Sequence, residues 1–480
     1  MGGLSMTALL LTALLWHAGL PAGALLAQTG PGAAPPQQPP AAVSPPFQPE
    51  VSDPLLEPVP PAPVLVGSWD EALALLRQQS TDLRVALARV ESAAGQRRVA
   101  LAGLLPTLGG SAGVQYNVLD PATPFVGGGL GGGIGTGGGD GPRPTSPLGT
   151  ATVTASVPLL DWSAFQSLRS ASSSRRAAEL SLEETRRQLT GELARALARV
   201  ASSERISEVN RVNLRSALER LALAQRRLEL GAGTQLDVIR LRQDAESARS
   251  SVVSGDNSLL QARDALALIL GQEKPVGLTR GVSLEELLNH GQRRCQGLQA
   301  LEERPDLAAA RAQLEAAGHD VSAARAQYLP TLEAQSTVLG FTVDPGFARV
   351  PVWNIGAVLT LPFYEGGARG GRVRQARAQE ETARQEVVSR QRGASVEVRQ
   401  TRREVGVAGA ELEIATRARE LAAENDRLTR RAFEVGTGTS QDLVVSAAAL
   451  RQAELNLVVS EFQLFQARIE AFLAEAACDW

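Results

Sequence analysis

The sequence has few of the side chains that usually build enzyme and metal sites. It contains three histidines, far apart in the chain, and two methionines, both near the N-terminus. Three scattered imidazoles do not make a metal cluster of the usual kind. A phosphate-binding loop, a cysteine pair at zinc spacing and a nucleophile elbow are also missing from the sequence. We therefore expect no enzymatic activity, no metal site and no cofactor.

Aromatic side chains are also scarce, at 4% of the chain, and the net charge is small, at −3. A compact core in a chain of 480 residues usually contains more aromatic side chains. Sequence rich in Ala, Leu, Arg and Glu is instead typical of long helices packed side by side. The nearly balanced charge gives no reason to expect a nucleic-acid partner. Beyond the N-terminal segment no run approaches about 18 consecutive apolar residues, so we predict no transmembrane helix.

The N-terminal part of the chain divides into two segments of different composition. Residues 1–27 are apolar and end in small residues, which predicts a cleaved secretory signal peptide. A buried N-terminal helix is the alternative, because this segment contains neither Lys nor Arg. Residues 28–67 are rich in Pro, Ala and Gln, and we expect them to be a disordered lead-in, because such a composition buries too little apolar surface to become ordered.

Cysteine occurs at two positions, Cys295 and Cys478. Neither follows the signal-like segment, so we expect no lipid-anchored N-terminal cysteine. In an exported protein a disulfide bond between the two is one interpretation, and two separate buried thiols are the other.

The chain contains a long internal repeat. Leu105-Pro-Thr-Leu108 recurs as Leu329-Pro-Thr-Leu332, 224 positions later. Further along, residues 231–237 (Gly-Ala-Gly-Thr-Gln-Leu-Asp) match residues 436–442 (Gly-Thr-Gly-Thr-Ser-Gln-Asp). Self-similarity at a long period indicates a duplicated structural unit. We place the two repeats at residues 68–271 and 272–480.

Each repeat contains two segments in which side chains alternate with the period of a β-strand. In the second repeat Trp353, Ile355 and Leu359 fall on one face, and Asn354 and Thr360 fall on the other. The four strands are predicted at about residues 107–118, 150–160, 331–342 and 352–362. This pattern suits a membrane strand, although a half-buried strand of a soluble sheet shares it. Because lipid does not tolerate an open sheet edge and four strands cannot close a barrel, a membrane barrel would require several chains to pool their strands.

Long helices follow each pair of strands. A capping box at Ser68-Trp-Asp-Glu71 predicts a first helix that continues to about Leu104. Residues 163–230 lack proline and carry apolar residues at helical spacing, which predicts a helix on the order of 100 Å long. We predict helical hairpins at residues 163–270 and 368–477, with tips at residues 231–236 and 436–441. Helices this long must pack against others as coiled coils to bury their apolar residues.

The two predicted tips share a sequence that reverses the chain. Gly231 and Gly436 can adopt the left-handed conformation that ends a helix. The capping-box spacing Thr-x-x-Asp follows in both tips, at residues 234–237 and 439–442. Each long helix is therefore expected to end, reverse at its tip and return as a second helix.

Several segments together have a distinctive sequence: residues 304–317 (beginning Arg-Pro-Asp-Leu), 323–332 (ending Tyr-Leu-Pro-Thr-Leu), 361–367 (Leu-Pro-Phe-Tyr-Glu-Gly-Gly) and the second tip. With them the chain, from about Ser68 to its C-terminus, resembles the TolC-type outer-membrane efflux protein family. The resemblance implies a mixed α/β fold, mostly α, built from two internal repeats. It also implies a homotrimer in which each chain gives four strands to a pooled 12-stranded transmembrane β-barrel, continued by a long periplasmic α-helical barrel.

The resemblance implies a function as well. Such a protein is the outer-membrane exit duct of a tripartite efflux or type I secretion system, with most of its helical mass in the periplasm of a Gram-negative bacterium. It passively conducts substrates to the exterior, and its partners are further copies of itself, a periplasmic adaptor (a membrane fusion protein), an inner-membrane pump and outer-membrane lipid. A soluble periplasmic coiled-coil scaffold or adaptor is the alternative, and it would leave the four strands unexplained.

In that family the hairpin tips form a periplasmic entrance with a ring of acidic residues. By position, Asp442 would form this ring and attract cations, and Asp237 occupies the corresponding place in the first repeat. Some members carry a second Asp one turn later, where this chain has Val445. Helix capping alone is the alternative role of both aspartates, and turn formation alone is the alternative role of their neighbours. The residues expected to contact the adaptor are Gly231, Gly233, Thr234, Gly436, Gly438 and Thr439.

Overall fold

The computed structural model describes residues 49–116, 118, 143–279, 289, 293, 295–344 and 349–480. The predicted signal peptide and the first part of the predicted lead-in, up to residue 48, lie outside the described residues. The helices are α1 (Trp69–Gln79), α2 (Thr81–Ala102), α3 (Trp162–Glu229), α4 (Gln235–Leu270), α5 (Pro305–Ala326), α6 (Ala368–Glu434) and α7 (Ser440–Leu473). The strands are β1 (Val64–Val66), β2 (Thr107–Gln115), β3 (Arg143–Pro144), β4 (Leu148–Leu160), β5 (Val276–Leu278), β6 (Cys295–Gly297), β7 (Thr331–Phe341), β8 (Val343–Asp344), β9 (Arg349–Thr360) and β10 (Ala476–Cys478).

Two long helical hairpins, α3–α4 and α6–α7, account for most of the described residues. Helix α3 has 68 residues and α6 has 67, so each extends about 100 Å at 1.5 Å per residue. The Asp161 carboxylate starts α3 by accepting a hydrogen bond of 2.9 Å from the Ala164 N–H. Each long helix packs against its returning partner, and α3 also packs on α7. The two hairpins therefore lie side by side.

Two long strands come before each hairpin in the chain, β2 and β4 before the first and β7 and β9 before the second. Together they form one four-stranded antiparallel sheet with the strand order β2-β4-β7-β9. Thr107 of β2 lies opposite Ser156 of β4, and Val153 of β4 lies opposite Val338 of β7. Strands β2 and β9 are the two edges of this sheet. Within the described part of the chain, no further strand pairs with their outer sides.

The chain is already ordered ahead of the first helix, which corrects the predicted disordered lead-in for residues 49–67. Asp53 forms a salt bridge of 2.9 Å with Arg249 of α4, and the Arg211 guanidinium of α3 donates a 2.9 Å hydrogen bond to the Glu57 carbonyl. Apolar residues of the segment also pack on α3 and α4: Val51, Leu55 and Leu56. The composition of the segment was misleading, because the groups that order it belong to helices far along the sequence.

The first predicted helix is two helices. Its expected course from Ser68 to about Leu104 is broken at Ser80, which ends α1 and begins α2. The Ser80 N–H donates a 2.9 Å hydrogen bond to the Leu76 carbonyl, and the Ser80 hydroxyl accepts one of 3.4 Å from the Leu83 N–H. One residue serves both helix ends, with its backbone N–H at the end of α1 and its side chain at the start of α2, so the break needs neither glycine nor proline and carries no breaker signal.

The largest hydrophobic core lies where α1, the middle of α3 and the far ends of α4 and α7 meet. Leu76, Leu193 and Leu266 are completely buried there. Two small sheets close this region, β1 paired in parallel with β5 and β6 paired antiparallel with β10. We call this region the belt, because it joins both hairpins at a distance from their tips.

A disulfide bond joins Cys295 and Cys478 in the belt, so the interpretation as two separate thiols is wrong. The two residues lie directly opposite each other in the β6–β10 pair and are both buried. The bond links positions 183 residues apart. It fastens the last strand to β6, near the start of the second repeat, an arrangement that two distant cysteines in a sequence do not reveal.

One helix among the described residues, α7, is long and apolar enough by length and composition to cross a membrane. It is the returning arm of the second hairpin and packs against α6 and α3. A helix that packs inside a protein passes the same test, so this finding is weak evidence for a membrane span.

Candidate functional site: the paired hairpin tips

Both hairpins reverse direction through turns of the same construction. Gly231 and Gly436, just beyond α3 and α6, have φ values of 71° and 82°. These are left-handed conformations that favour glycine and end a helix, as predicted. The second glycine of each turn serves a different purpose. A Cβ on Gly438 would lie 3.0 Å from the Phe433 backbone nitrogen, and one on Gly233 would lie 3.1 Å from the Leu228 nitrogen, so a larger residue would crowd the end of the helix and require it to shift by a few tenths of an ångström.

A capping box follows each turn, as the sequence predicts. In the first tip the Asp237 N–H donates to the Thr234 hydroxyl at 3.2 Å, and the Thr234 hydroxyl and N–H donate to the Asp237 carboxylate at 2.7 and 3.1 Å. In the second tip the corresponding bonds between Thr439 and Asp442 measure 3.2, 2.6 and 3.2 Å. Both carboxylates therefore satisfy free N–H groups at the start of a returning helix.

The two aspartates differ in their surroundings. A hydrogen bond from the Ser440 hydroxyl, on the other hairpin, is the main cause that lowers the pKa of Asp237 below its usual range, and Thr234 adds to the effect. The pKa of Asp442 is also lowered, by hydrogen bonds from the side chain and the backbone of Thr439. Asp237 is therefore shared between the two hairpins, whereas the interactions that shift Asp442 are confined to its own turn.

An arginine connects the tips directly. Arg227, in the last turn of α3, donates a 2.6 Å hydrogen bond from Nη1 to the carbonyl of Phe433 at the end of α6. Its guanidinium also lies 4.6 Å from the centre of the Phe433 ring, within the range of a cation–π interaction. On the returning helices, Arg240 reaches the Ser440 hydroxyl at 3.5 Å. Both helices of the first hairpin thus bind the second hairpin at the tip.

A buried carboxylate joins the hairpins about two turns above the tip. Asp244 of α4 accepts a 2.9 Å hydrogen bond from Arg220 of α3 and lies 3.3 Å from the guanidinium of Arg451 on α7. The side chain of Asp244 is only 2% exposed and that of Arg220 only 7%. One negative charge is therefore held between two positive charges in a place with little water, where losing a partner is costly.

The sequence predicted the turn residues but not the contacts between the hairpins. Arg227, Asp244 and Arg451 resemble many other charged positions on these helices. Asp244 did leave a signal, since it lies beside the apolar residues Leu241 and Ala245 on the buried face of α4. A charged residue at a core position of a coiled coil indicates a buried partner, although the sequence does not show which one.

The predicted adaptor-contact residues lie together at this tip. All of them belong to the two turns, and those turns are brought side by side by Arg227 and Ser440. Val445 is exposed and lies one turn beyond Asp442. Some members of the TolC-type family, which the sequence resembles, carry a second aspartate at this position. Among the described residues, no cluster of His, Cys, Asp or Glu that could hold a metal ion is found.

The comparison with protein families identifies the chain. Residues 72–272 and 298–473 match the family model described as "Outer membrane efflux protein". These two segments cover more than half of the chain. The chain belongs to the outer membrane efflux protein family. The match confirms the predicted resemblance and the predicted location in the outer membrane.

Two curated outer membrane proteins are distantly similar to this chain in sequence. The probable outer membrane lipoprotein SilC of Salmonella typhimurium is 27% identical over 60% of this chain and 59% of its own length. The pyoverdine export outer membrane protein OpmQ of Pseudomonas aeruginosa is 29% identical over 64% of this chain and 63% of its own length. The chain thus spans about three fifths of the length of these curated relatives.

A solved structure of an outer membrane protein has the same fold as this chain. The crystal structure of the outer membrane protein VceC from Vibrio cholerae superimposes with a TM-score of 0.68. The likeness covers 85% of this chain and 95% of VceC at 21% identity. The mostly helical architecture with a small sheet is therefore common to this chain and to VceC.

The capping boxes predict a pH dependence of the tips. Because the pKa values of Asp237 and Asp442 are lowered in the folded protein, their ionised carboxylates stabilise the tips above the ordinary aspartate pKa of about 3.9. This contribution is lost as the pH falls through the lowered values. We expect the double variant Asp237→Asn/Asp442→Asn to exchange tip amide hydrogens faster than the unaltered protein at pH 7. The difference should shrink towards pH 3, as measured by hydrogen exchange with mass spectrometry. Equal exchange rates in the double variant and the unaltered protein at pH 7 would contradict this prediction.

Removal of the buried carboxylate should destabilise the contact between the hairpins. Asp244→Ala leaves Arg220 buried without its partner, a change that typically costs about 3–5 kcal/mol. We expect a lower thermal unfolding midpoint in detergent and faster proteolysis of α4. Asp244→Asn is the matched control, because it keeps the shape and one hydrogen-bond acceptor and should be damaged less. An unchanged midpoint in Asp244→Ala would show that the pair contributes little.

Proposed function

We propose that this chain is one subunit of a homotrimeric outer-membrane exit duct. The observation that supports it is the open sheet, whose edges β2 and β9 have no strand on their outer sides within the described residues. In hydrocarbon such edges would leave N–H and C=O groups unpaired. Joining β9 of one copy to β2 of the next removes every edge. Three copies, the number that the resemblance implies, would then form a 12-stranded transmembrane barrel.

The exposed side chains of β9 support a lipid-facing surface. Trp353, Ile355 and Leu359 alternate along the strand and are 72%, 75% and 56% exposed. A row of large apolar residues facing outwards is typical of a membrane barrel. A soluble periplasmic scaffold, the alternative function, would place this row in water, where it is unfavourable.

We propose that the helical hairpins continue this barrel into the periplasm as a helical barrel, from two repeats at residues 68–271 and 272–480 of each chain. Their length of about 100 Å would carry the entrance far from the membrane. Substrates would enter at the tips from a periplasmic adaptor and an inner-membrane pump. They would leave passively, since the pump supplies the energy of a tripartite efflux or type I secretion system.

The tips are the proposed entrance, with Asp442 as the constriction residue and Asp237 as a second, weaker candidate. The Asp442 side chain is exposed and is hydrogen-bonded within its own turn, so it presents negative charge to solvent while it caps α7. Asp237 is less available because it is only partly exposed, whereas Asp442 is exposed. The turn residues Gly231, Gly233, Thr234, Gly436, Gly438 and Thr439 are the proposed adaptor contacts. The bonds from Arg227 and Asp244 would hold this entrance in one arrangement until an adaptor binds.

The number of chains in the detergent-extracted particle tests the duct. Light scattering corrected for bound detergent should give the mass of three chains. A particle that contains one chain and needs no detergent would contradict the channel and leave the periplasmic scaffold as the better account.

The constriction is tested by ion selectivity in planar bilayers. Asp442→Asn keeps the shape of the cap but removes three charges from a trimer, so we expect a lower preference for cations over anions. Asp237→Asn should have a smaller effect. Val445→Asp adds a second acidic position one turn on and should raise the cation preference. Unaltered selectivity in Asp442→Asn would restrict that residue to helix capping.

A further inference from the structure

A segment of the chain fills the groove on one side of the first hairpin. We call this segment, residues 49–66, the strap. Its Glu57 carbonyl accepts a 2.9 Å hydrogen bond from Arg211 of α3, and its Asp53 carboxylate forms a salt bridge of 2.9 Å with Arg249 of α4. Its apolar side chains pack on the buried cluster between the two helices. The strap therefore lies along the groove between α3 and α4.

The second hairpin has a groove at the equivalent position. Gly231 of the first tip corresponds to Gly436 of the second, 205 positions later. A groove of about 370 Å³ lies between α6 and α7, with α3 as its third wall. At the same offset, four of its lining residues correspond to residues that bind the strap or belong to the cluster beneath it: Thr416, Arg419, Glu454 and Leu457 correspond to Arg211, Leu214, Arg249 and Val252. This groove is therefore the second repeat's copy of the groove that the strap fills.

The groove of the second hairpin is open to solvent. Val212 of α3, at its edge, is 56% exposed, and its apolar floor contains the buried Val458 and the partly buried Leu457. Glu208 of the α3 wall lies about 60° round that helix from Arg211, so both grooves open on the same face of the hairpins. Among the described residues, no segment of the chain lies in the second groove as the strap lies in the first.

The two grooves differ in charge. In the first, Arg211 and Arg249 bind a strap that contains three acidic residues and neither Lys nor Arg. In the second, the equivalent of Arg249 is Glu454. The second groove has a net charge of −2, from two arginines and four glutamates: Arg205, Arg419, Glu208, Glu420, Glu454 and Glu461. An occupant of this groove must therefore be basic where the strap is acidic, and the strap of another copy would be repelled.

Two glutamates of the groove are available to a partner. Glu420 of α6 and Glu461 of α7 are exposed, and their carboxylates form no ion pair or hydrogen bond with any described residue. The other four charged residues of the groove pair with one another at 3.6 and 2.8 Å: Arg419 with Glu454, and Arg205 with Glu208. A basic ligand in the groove would neutralise the two carboxylates that the chain itself leaves unpaired.

We propose that the groove of the second hairpin binds an extended basic segment of a partner protein, in the place that the strap takes on the first hairpin. Apolar side chains of that segment pack on Leu457 and Val458, and its Arg or Lys side chains pair with Glu420 and Glu461. The first repeat supplies the precedent, because its equivalent groove holds an extended chain by apolar contacts and ion pairs. The inference requires a single chain and does not depend on the number of copies in the particle.

A pair of dye-labelled peptides tests the groove. The acidic peptide has the sequence of residues 49–60, and the basic peptide is the same sequence with Glu50→Arg, Asp53→Arg and Glu57→Arg. We expect the basic peptide to bind the detergent-solubilised protein at least about tenfold more tightly than the acidic one, as measured by fluorescence anisotropy. Its binding should weaken as salt is raised, because salt screens exposed charges. Failure of the basic peptide to bind, or equal binding of both peptides, would overturn the proposal.

Reversal of the two unpaired charges locates the binding site. Glu420→Lys/Glu461→Lys should weaken binding of the basic peptide by about tenfold, because each exposed ion pair contributes a modest part of the binding free energy. The same variant should bind the acidic peptide more tightly than the unaltered protein does. Both positions are exposed, so the substitutions leave the core of the hairpin intact.

The matched control makes the same change in total charge on the other side of α6. Glu411 lies nine positions before Glu420, about 180° round the helix, and Glu404 lies seven positions before Glu411 on the same side. Glu404→Lys/Glu411→Lys should bind the basic peptide as the unaltered protein does. An equal loss in both double variants would show attraction by overall charge and would remove the groove as the site. A particle with a single chain that binds through Glu420 and Glu461 would sink the duct and leave this inference standing.

Discussion

Free edges are the constraint on which this architecture depends. In the proposed barrel the outer backbone groups of β2 and β9 would need a further strand, because hydrocarbon offers them no hydrogen-bond partner. One of these free edges, β2, belongs to the first repeat, and the other, β9, belongs to the second. A neighbouring copy in the proposed ring would complete the sheet.

Apolar packing holds both ends of the hairpins, and polar contacts add to it at the tips. In the belt, completely buried side chains such as Leu193 and Leu266 pack together, and the Cys295–Cys478 bond fastens the last strand.

At the tips a smaller buried apolar cluster, which includes Leu241 and Leu443, joins the two hairpins. The hydrogen bonds and ion pairs of Arg227 and Asp244 connect the same helices. A rearrangement of the tips would therefore have to open apolar contacts as well as polar ones.

The tip turns were predictable because their requirements are local. A left-handed glycine, a threonine cap and an aspartate three positions later act within about seven residues, and the predicted capping boxes are present in both tips. The contacts between tips were not predictable, since Arg227 and Phe433 are 206 positions apart and nothing near either one marks the pairing. The ordered segment at residues 49–67 was missed for the same reason, because Arg211 and Arg249 hold it from distant helices.

By itself the sequence determined the periodic and local features: the long helices, the alternating strands, the reversing turns and the resemblance to the outer membrane efflux family. These depend on residues close together in the chain. Only the tertiary structure decided that Cys295 bonds Cys478 and that Asp244 lies between Arg220 and Arg451. Proximity between distant segments follows from how the helices pack, and periodicity along one helix carries no information about its neighbour.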